Sequence, residues 1–234
     1  MATLVFDIET VGEPWENFDE YTKTQLTKVA HTNGEIEAVK NSLGLSPLTG
    51  SVVSLAMYDV ERKLGAVYYV GGDMDETFTE GEFVAKVRTE KEILEDFWEG
   101  AQSYDVFVTF NGRSFDVPFL LHRSVVHGLT PTVTLQQNRY LTKQSFPYHV
   151  DLMDELTMYG AMSKRPSLHL LLRAYGIESQ KGEVDGSQVV ELFRAGKFRT
   201  LARHNVEDVI ATTELYDRWK RHLAPASFLN AIEF

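Results

Sequence analysis

The chain has 234 residues, a formal net charge of −11 and no cysteine. That length can bury a sizeable core in one domain, and the negative charge argues against a protein that coats nucleic acid by bulk attraction, though not against a nucleic-acid enzyme. The missing cysteine excludes disulfides and thiolate metal sites and points to a reducing, cytoplasmic address, while the absence of a long apolar run argues against a membrane partner and a core strand starting by Thr3 is expected to leave no leader segment.

The first element is Thr3-Leu4-Val5-Phe6-Asp7-Ile8-Glu9-Thr10. Leu4, Val5, Phe6 and Ile8 form a short apolar β-forming run, so it reads as a buried strand. Side chains alternate across a strand, which puts Asp7 and Glu9 on one face and Ile8 on the other. Two carboxylates at the end of an apolar strand repel each other and lose hydration, and a divalent cation is the simplest compensation. The ordinary alternative is a strand that simply ends in two solvated acids.

Val11-Gly12-Glu13-Pro14 is a turn, and residues 15–47 are polar and helix-compatible, with breaks at Gly34 and at Gly44 and Pro47. We read two or three short helices inserted there. Ser51–Val60 and Gly65–Val70 read as an antiparallel hairpin that pairs with the first strand. Thr89–Gly100 is an amphipathic helix with Ile93, Leu94, Phe97 and Trp98 on one side. Tyr104–Phe110 is a second buried strand, followed by a turn at Asn111-Gly112. A helix from about Phe115 to His127 follows, with Ser114 as its N-cap and Pro118 in its first turn. Tyr148-His149-Val150 is a short strand leading into a helix at Asp151–Tyr159. Another helix runs from Pro166 to Tyr175 and stops at Gly176. A flexible loop at Lys181–Gly186 precedes the last helices, Ser187–Ala195 and Arg199–Arg221. This order predicts an α/β fold, a mixed β-sheet flanked by helices.

Three further residues stand at informative positions. Asp116 lies in the first turn of a helix otherwise apolar on its packing side; a helix-dipole acid is the ordinary alternative. His204 and Asp208 are one helical turn apart and share a face, which is also what a solvated stripe would show. Taken in order, these residues resemble the DnaQ-like (DEDD) 3′–5′ exonuclease superfamily. Its first motif matches Asp7-Ile8-Glu9-Thr10. Its second resembles Asn111 to Asp116 in the form seen in exonuclease domains of family-B DNA polymerases, and its third resembles His204 to Asp208. The stretch from His149 to Asp154, with Ser167-Leu168, Gly176-Ile177 and the terminal helix, is similar to a stand-alone group related to those domains.

The resemblance implies a ribonuclease H-like domain over residues 1–234 with a helical insertion at about residues 12–48. It implies a 3′–5′ exonuclease acting on single-stranded nucleic acid, DNA favoured over RNA. It also implies that Asp7, Glu9, Asp116 and Asp208 hold two divalent cations, Mg²⁺ or Mn²⁺, ions that prefer oxygen ligands. Superfamily members carry Tyr four residues before the last Asp or His five residues before it; this chain has His204 at the tyrosine spacing. His204 is the candidate to orient or deprotonate the attacking water. Asn111 is a candidate contact to the nucleic-acid terminus, or a turn residue before Gly112. Phe115 is a candidate to stack on a base, or a core residue. Asp151 shares a strand face with His149, which would suit a metal pair, but reads first as a helix cap or supporting acid. Lys164, Arg165 and Lys181 are phosphate contacts or solvated loop cations. Two rival functions are a non-catalytic module retaining the fold and a phosphodiesterase for short oligonucleotides, the latter permitted by the lack of an obvious basic tract.

Overall fold

Alternation along the first strand builds both layers of the molecule. In β1 (Thr3–Gly12), Leu4, Phe6 and Ile8 enter one apolar core and Val5 enters the other. Asp7 and Glu9 follow Val5 on its face, as the alternation of a strand requires. The structure is a computed structural model that describes residues 1–72, 77–178 and 188–232.

The other described strands are β2 (Gly50–Asp59), β3 (Leu64–Tyr69), β4 (Thr77–Glu80), β5 (Phe83–Val87), β6 (Val106–Thr109) and β7 (Tyr148–Asp151). They form one mixed sheet in the order β4-β5-β3-β2-β1-β6-β7. β2 pairs antiparallel with both β1 and β3, as the hairpin reading expects. β1, β6 and β7 run parallel to one another. The β4–β5 pair, which extends the far edge, has no counterpart in the sequence reading.

Helices cover both faces. α3 (Glu90–Ala101) and α4 (Asp116–Val126) pack on the face of Leu4 and Phe6. Across the opposite face runs α8 (Phe198–His222), with α5 (Leu152–Leu156), α6 (Leu168–Ala174) and α9 (Ala226–Ile232) beside it. α7 (Val189–Arg194) packs against the end of β1. Thr89 caps α3 through a reciprocal capping box with Glu92, which satisfies two of the amides a helix start leaves unbonded.

Between β1 and β2 lie α1 (Glu20–Leu26), α2 (Asn33–Ser42) and two single 3₁₀ turns, at Trp15–Asn17 and Leu43–Leu45. The segment folds back on the strand it leaves. Thr10 Oγ1 donates to the Gly44 carbonyl at 2.6 Å, and a Cβ on Gly12 would sit 2.6 Å from Leu43 Cβ. That close approach is why glycine stands there.

Three helix boundaries differ from expectation. Ser114 does not cap α4: Phe115 occupies the N-cap without a side-chain bond, because the Asn111–Phe115 turn closes on itself through backbone bonds. The helix expected over Asp151–Tyr159 ends at Leu156, since Met158 and Tyr159 take left-handed φ values of 52° and 57°. The helix expected from Pro166 begins at Leu168, with Ser167 as its cap. The Lys181–Gly186 segment, and with it Lys181, lies outside the described residues. No described helix is long and apolar enough to cross a membrane.

Candidate active site

β1, β6 and β7 are parallel, and Asp7, Glu9, Asn111, Phe115, Asp116 and Asp151 lie toward or just beyond their carboxyl ends. In an open α/β sheet that edge is where ligands bind, because the chain leaves the strands there in loops that can diverge. β1 runs on through Asp7 and Glu9 after its ladder with β6 stops at Val5, β6 runs into the Asn111–Asp116 turn, and β7 ends at Asp151.

α8 supplies the fourth side. It buries Leu201, Ala202, Val206 and Val209 against the sheet, and this register turns His204, Asn205 and Asp208 toward Asp7 and Glu9 of β1. His204 Nε2 lies 3.4 Å from Glu9 Oε1 and 3.6 Å from Asp208 Oδ2. One ligand atom from each of Glu9, His204 and Asp208 falls within 4.8 Å of the others, so this trio can hold a metal ion. Asp7 is tied to the same helix, accepting a bond from Asn205 Nδ2 at 2.8 Å. Asn205 in turn accepts from Ser54 Oγ of β2 at 2.8 Å. Asn205 and Ser54 are fully buried, and the sequence reading missed both. The available signal was an amide inside the apolar stripe of α8, where a polar group needs a partner.

Asp116 reaches the site from the other layer. Its Oδ1 accepts the amide N–H of Ile8, between Asp7 and Glu9 in the chain, at 3.1 Å. The parallel β1–β6 ladder stops at Val5 and Val108, and Asp116 caps this later amide in place of a strand. Burial pushes the Asp116 carboxyl up to about 7, and the nearby charge of Asp151 adds to the shift; the Ile8 amide opposes it. Asp7 and Asp116 are thus hydrogen-bonded to the elements that hold the trio, while among the described residues the ligand atoms grouped within 4.8 Å are those of Glu9, His204 and Asp208.

The turn that delivers Asp116 is anchored by Asp151. Its carboxylate accepts from the Asn111 and Arg113 amides at 3.0 and 2.9 Å, and from the Met153 amide at 2.9 Å as the cap of α5. Asn111 takes φ of 64°, a conformation Asn tolerates better than most residues. A Cβ on Gly112 would meet Thr109 Oγ1 at 2.4 Å, so only glycine fits. Asp151 is therefore both cap and support, and burial raises its carboxyl above the usual range. Phe115 is half-buried against Phe119, with ring centroids 5.0 Å apart. It also lines a cleft of about 800 Å³ together with Glu9, Thr10, Lys40 and Arg194.

Residues 59–229 match the family model described as a predicted 3′–5′ exonuclease related to the exonuclease domain of PolB. The chain is 21% identical over 251 residues to the DNA polymerase of Autographa californica nuclear polyhedrosis virus, covering 94% of this chain and 25% of the polymerase. It is 29% identical over 151 residues to the catalytic subunit of DNA polymerase epsilon from Arabidopsis thaliana, covering 58% of this chain and 7% of that protein. The family B DNA polymerase from Pyrobaculum calidifontis has a similar fold, with a TM-score of 0.57 at 19% identity over 94% of this chain and 24% of that one. The fold is thus the expected ribonuclease H-like α/β sheet flanked by helices, and the chain spans about a quarter or less of each of these polymerases. The family match covers well over half of the residues, so the chain belongs to the predicted 3′–5′ exonucleases related to the exonuclease domain of PolB.

Proposed function

We propose that this chain is a divalent-metal-dependent exonuclease that removes nucleotides from the 3′ end of single-stranded DNA. In this reading Asp7, Glu9, Asp116 and Asp208 hold two cations, Mg²⁺ or Mn²⁺. The observation that carries it is the grouping of Glu9 with His204 and Asp208, brought together from a strand and a helix at opposite ends of the chain. The donor set fits such ions: carboxylate oxygens suit hard cations, and a buried imidazole beside them is compatible with Mn²⁺. When bound, two cations stabilise the attacking and leaving oxygens of an in-line phosphoryl displacement.

The protein groups have separate tasks. His204 lies within 3.6 Å of both neighbouring carboxylates and orients the attacking water or takes its proton. Asn205 fixes the rotamer of Asp7 through its 2.8 Å bond. Asp151 holds the Asn111–Arg113 turn, which sets where Asp116 enters. Phe115 stacks on a base in the cleft it shares with Glu9, and Asn111 hydrogen-bonds the terminal nucleotide. The names of the similar polymerases favour DNA.

Digestion of 5′- and 3′-labelled DNA and RNA oligomers, with Mg²⁺, Mn²⁺ or chelator, tests the reading. The 5′-labelled strand should yield a descending ladder and the 3′-labelled strand an immediate mononucleotide, in metal only. Internal cutting, or no cleavage with either metal, overturns it.

A further inference from the structure

The fold sorts charge in a way the linear sequence conceals. Between Arg123 and Glu178 the chain carries three acids, Asp151, Asp154 and Glu155, and all three are buried. Over residues 124–172 every exposed charged side chain is a cation: Arg139, Lys143, Lys164 and Arg165. In a chain of net charge −11 this is an unusual surface. Solvated loops ordinarily mix both signs.

Contacts tie this cationic segment to the candidate site. Arg165 Nη1 donates to Asn111 Oδ1 at 3.4 Å, which places it at the rim of the turn that delivers Asp116. Arg139 binds Asp154, and Arg113 lies 3.6 Å from the same carboxylate. Tyr140, adjacent to Arg139, is 46% exposed, and its ring lies 4.7 Å from that of Tyr159. Lys143 Nζ stands 5.4 Å over the Tyr140 ring. Lys143, Lys164 and Arg165 are exposed, and among the described residues no carboxylate pairs with them.

Exposed cations interleaved with an aromatic pair suit a single-stranded nucleic acid, whose phosphates need cations and whose bases stack on flat rings. We infer that Arg139, Lys143, Lys164 and Arg165, with the Tyr140–Tyr159 pair beside Lys143, carry the backbone of the strand whose 3′ end enters the Asp7–Asp208 site. The inference rests on the exonuclease reading for which strand is bound, and it assigns the track upstream of the cleavage point. It also explains how a strongly acidic protein orients a polyanion: the favourable approach leads past Arg165.

The test compares Lys143→Glu, Lys164→Glu and Arg165→Glu combined with an equal charge change placed elsewhere, at exposed Lys63, Lys91 and Arg221. Binding of a labelled single-stranded oligodeoxynucleotide is measured by fluorescence anisotropy in chelator across a salt series. The first triple variant should weaken binding at least about tenfold and shrink the log–log salt slope by about 2, the loss of three phosphate contacts. Gln replacements at the same three sites should shift both quantities the same way by less. With metal, KM for the oligonucleotide should rise at least about tenfold more than KM for the p-nitrophenyl ester of thymidine 5′-phosphate, with kcat held. Equal weakening by the two triple variants would reduce the effect to bulk charge and overturn the inference, as would no weakening by either. A wild-type protein that binds through this surface yet cleaves neither substrate would instead defeat the exonuclease reading and leave the surface standing.

Discussion

Asp116 and Ile8 are joined by a 3.1 Å hydrogen bond across 108 residues of sequence. The bond makes one carboxylate serve both strand β1 and the start of helix α4, which lie in different layers. The charge state of that acid depends on its setting. The folded value, about 7, stands above the ordinary 3.8, chiefly because the group is buried. Between those values the folded protein keeps a proton that the unfolded chain has released. The stability this contributes is fullest at the acid end and is lost as pH rises toward about 7. Chemical denaturation of the metal-free protein should show that slope, and Asp116→Asn should flatten it. Metal binding needs the carboxylate, so calorimetric affinity for Mn²⁺ should rise over the same interval.

Asp7→Asn and Asp208→Asn should each abolish hydrolysis. Losing several kcal/mol of charge stabilisation in the reaction corresponds to a rate drop of about a thousandfold or more. The fold should survive, since an amide oxygen at position 7 still accepts from Asn205. Removing one of several clustered carboxylates relieves repulsion, so the metal-free midpoint of thermal unfolding should hold or rise. Full activity in either variant, purified free of contaminating nuclease, would contradict the mechanism.

Asn205→Ala should weaken both stability and catalysis. It removes the donor to Asp7 and strands Ser54 Oγ, which is fully buried. Leaving buried polar groups unsatisfied costs about 1–3 kcal/mol, readable as a shift of the urea midpoint. The rate should fall further than the lost folded fraction explains, because the bond from Asn205 that orients Asp7 is lost.

His204→Ala should lower the rate by about 10²–10⁴-fold if the imidazole takes the proton, with Mn²⁺ still bound. His204→Tyr should retain more activity than Ala, since Tyr is the residue the resembling group has at this spacing. Steady-state rates matched to calorimetric metal binding separate a proton acceptor from a structural neighbour. Wild-type kinetics in the Ala variant would place His204 outside the chemistry.

The sequence alone determined what depends on near neighbours. The apolar run from Leu4 to Ile8 made β1 legible, and alternation placed Asp7 and Glu9 on one face. The four-residue spacing of His204 and Asp208 put them on one side of α8, and Thr89 announced the start of α3. These are local periodicities, and each follows from backbone geometry within a turn or a few strand residues. The residue pattern of the acids also carried the family resemblance.

What depends on distant partners emerges only once the chain has folded. Glu9 meets His204 because α8 crosses β1 beside Asp7 and Glu9, a choice made by Val206 and Val209 packing into the same core as Val5 and Val108. Asn205 reads as one more helix residue until Asp7 and Ser54 close around it. The β4–β5 edge went unseen because short strands derive their identity from pairing rather than from propensity. The basic surface was hidden for the same reason. Asp151, Asp154 and Glu155 balance the local charge in the sequence, and burial withdraws them from the surface. Which charges face solvent is a property of packing, and no window of the chain contains it.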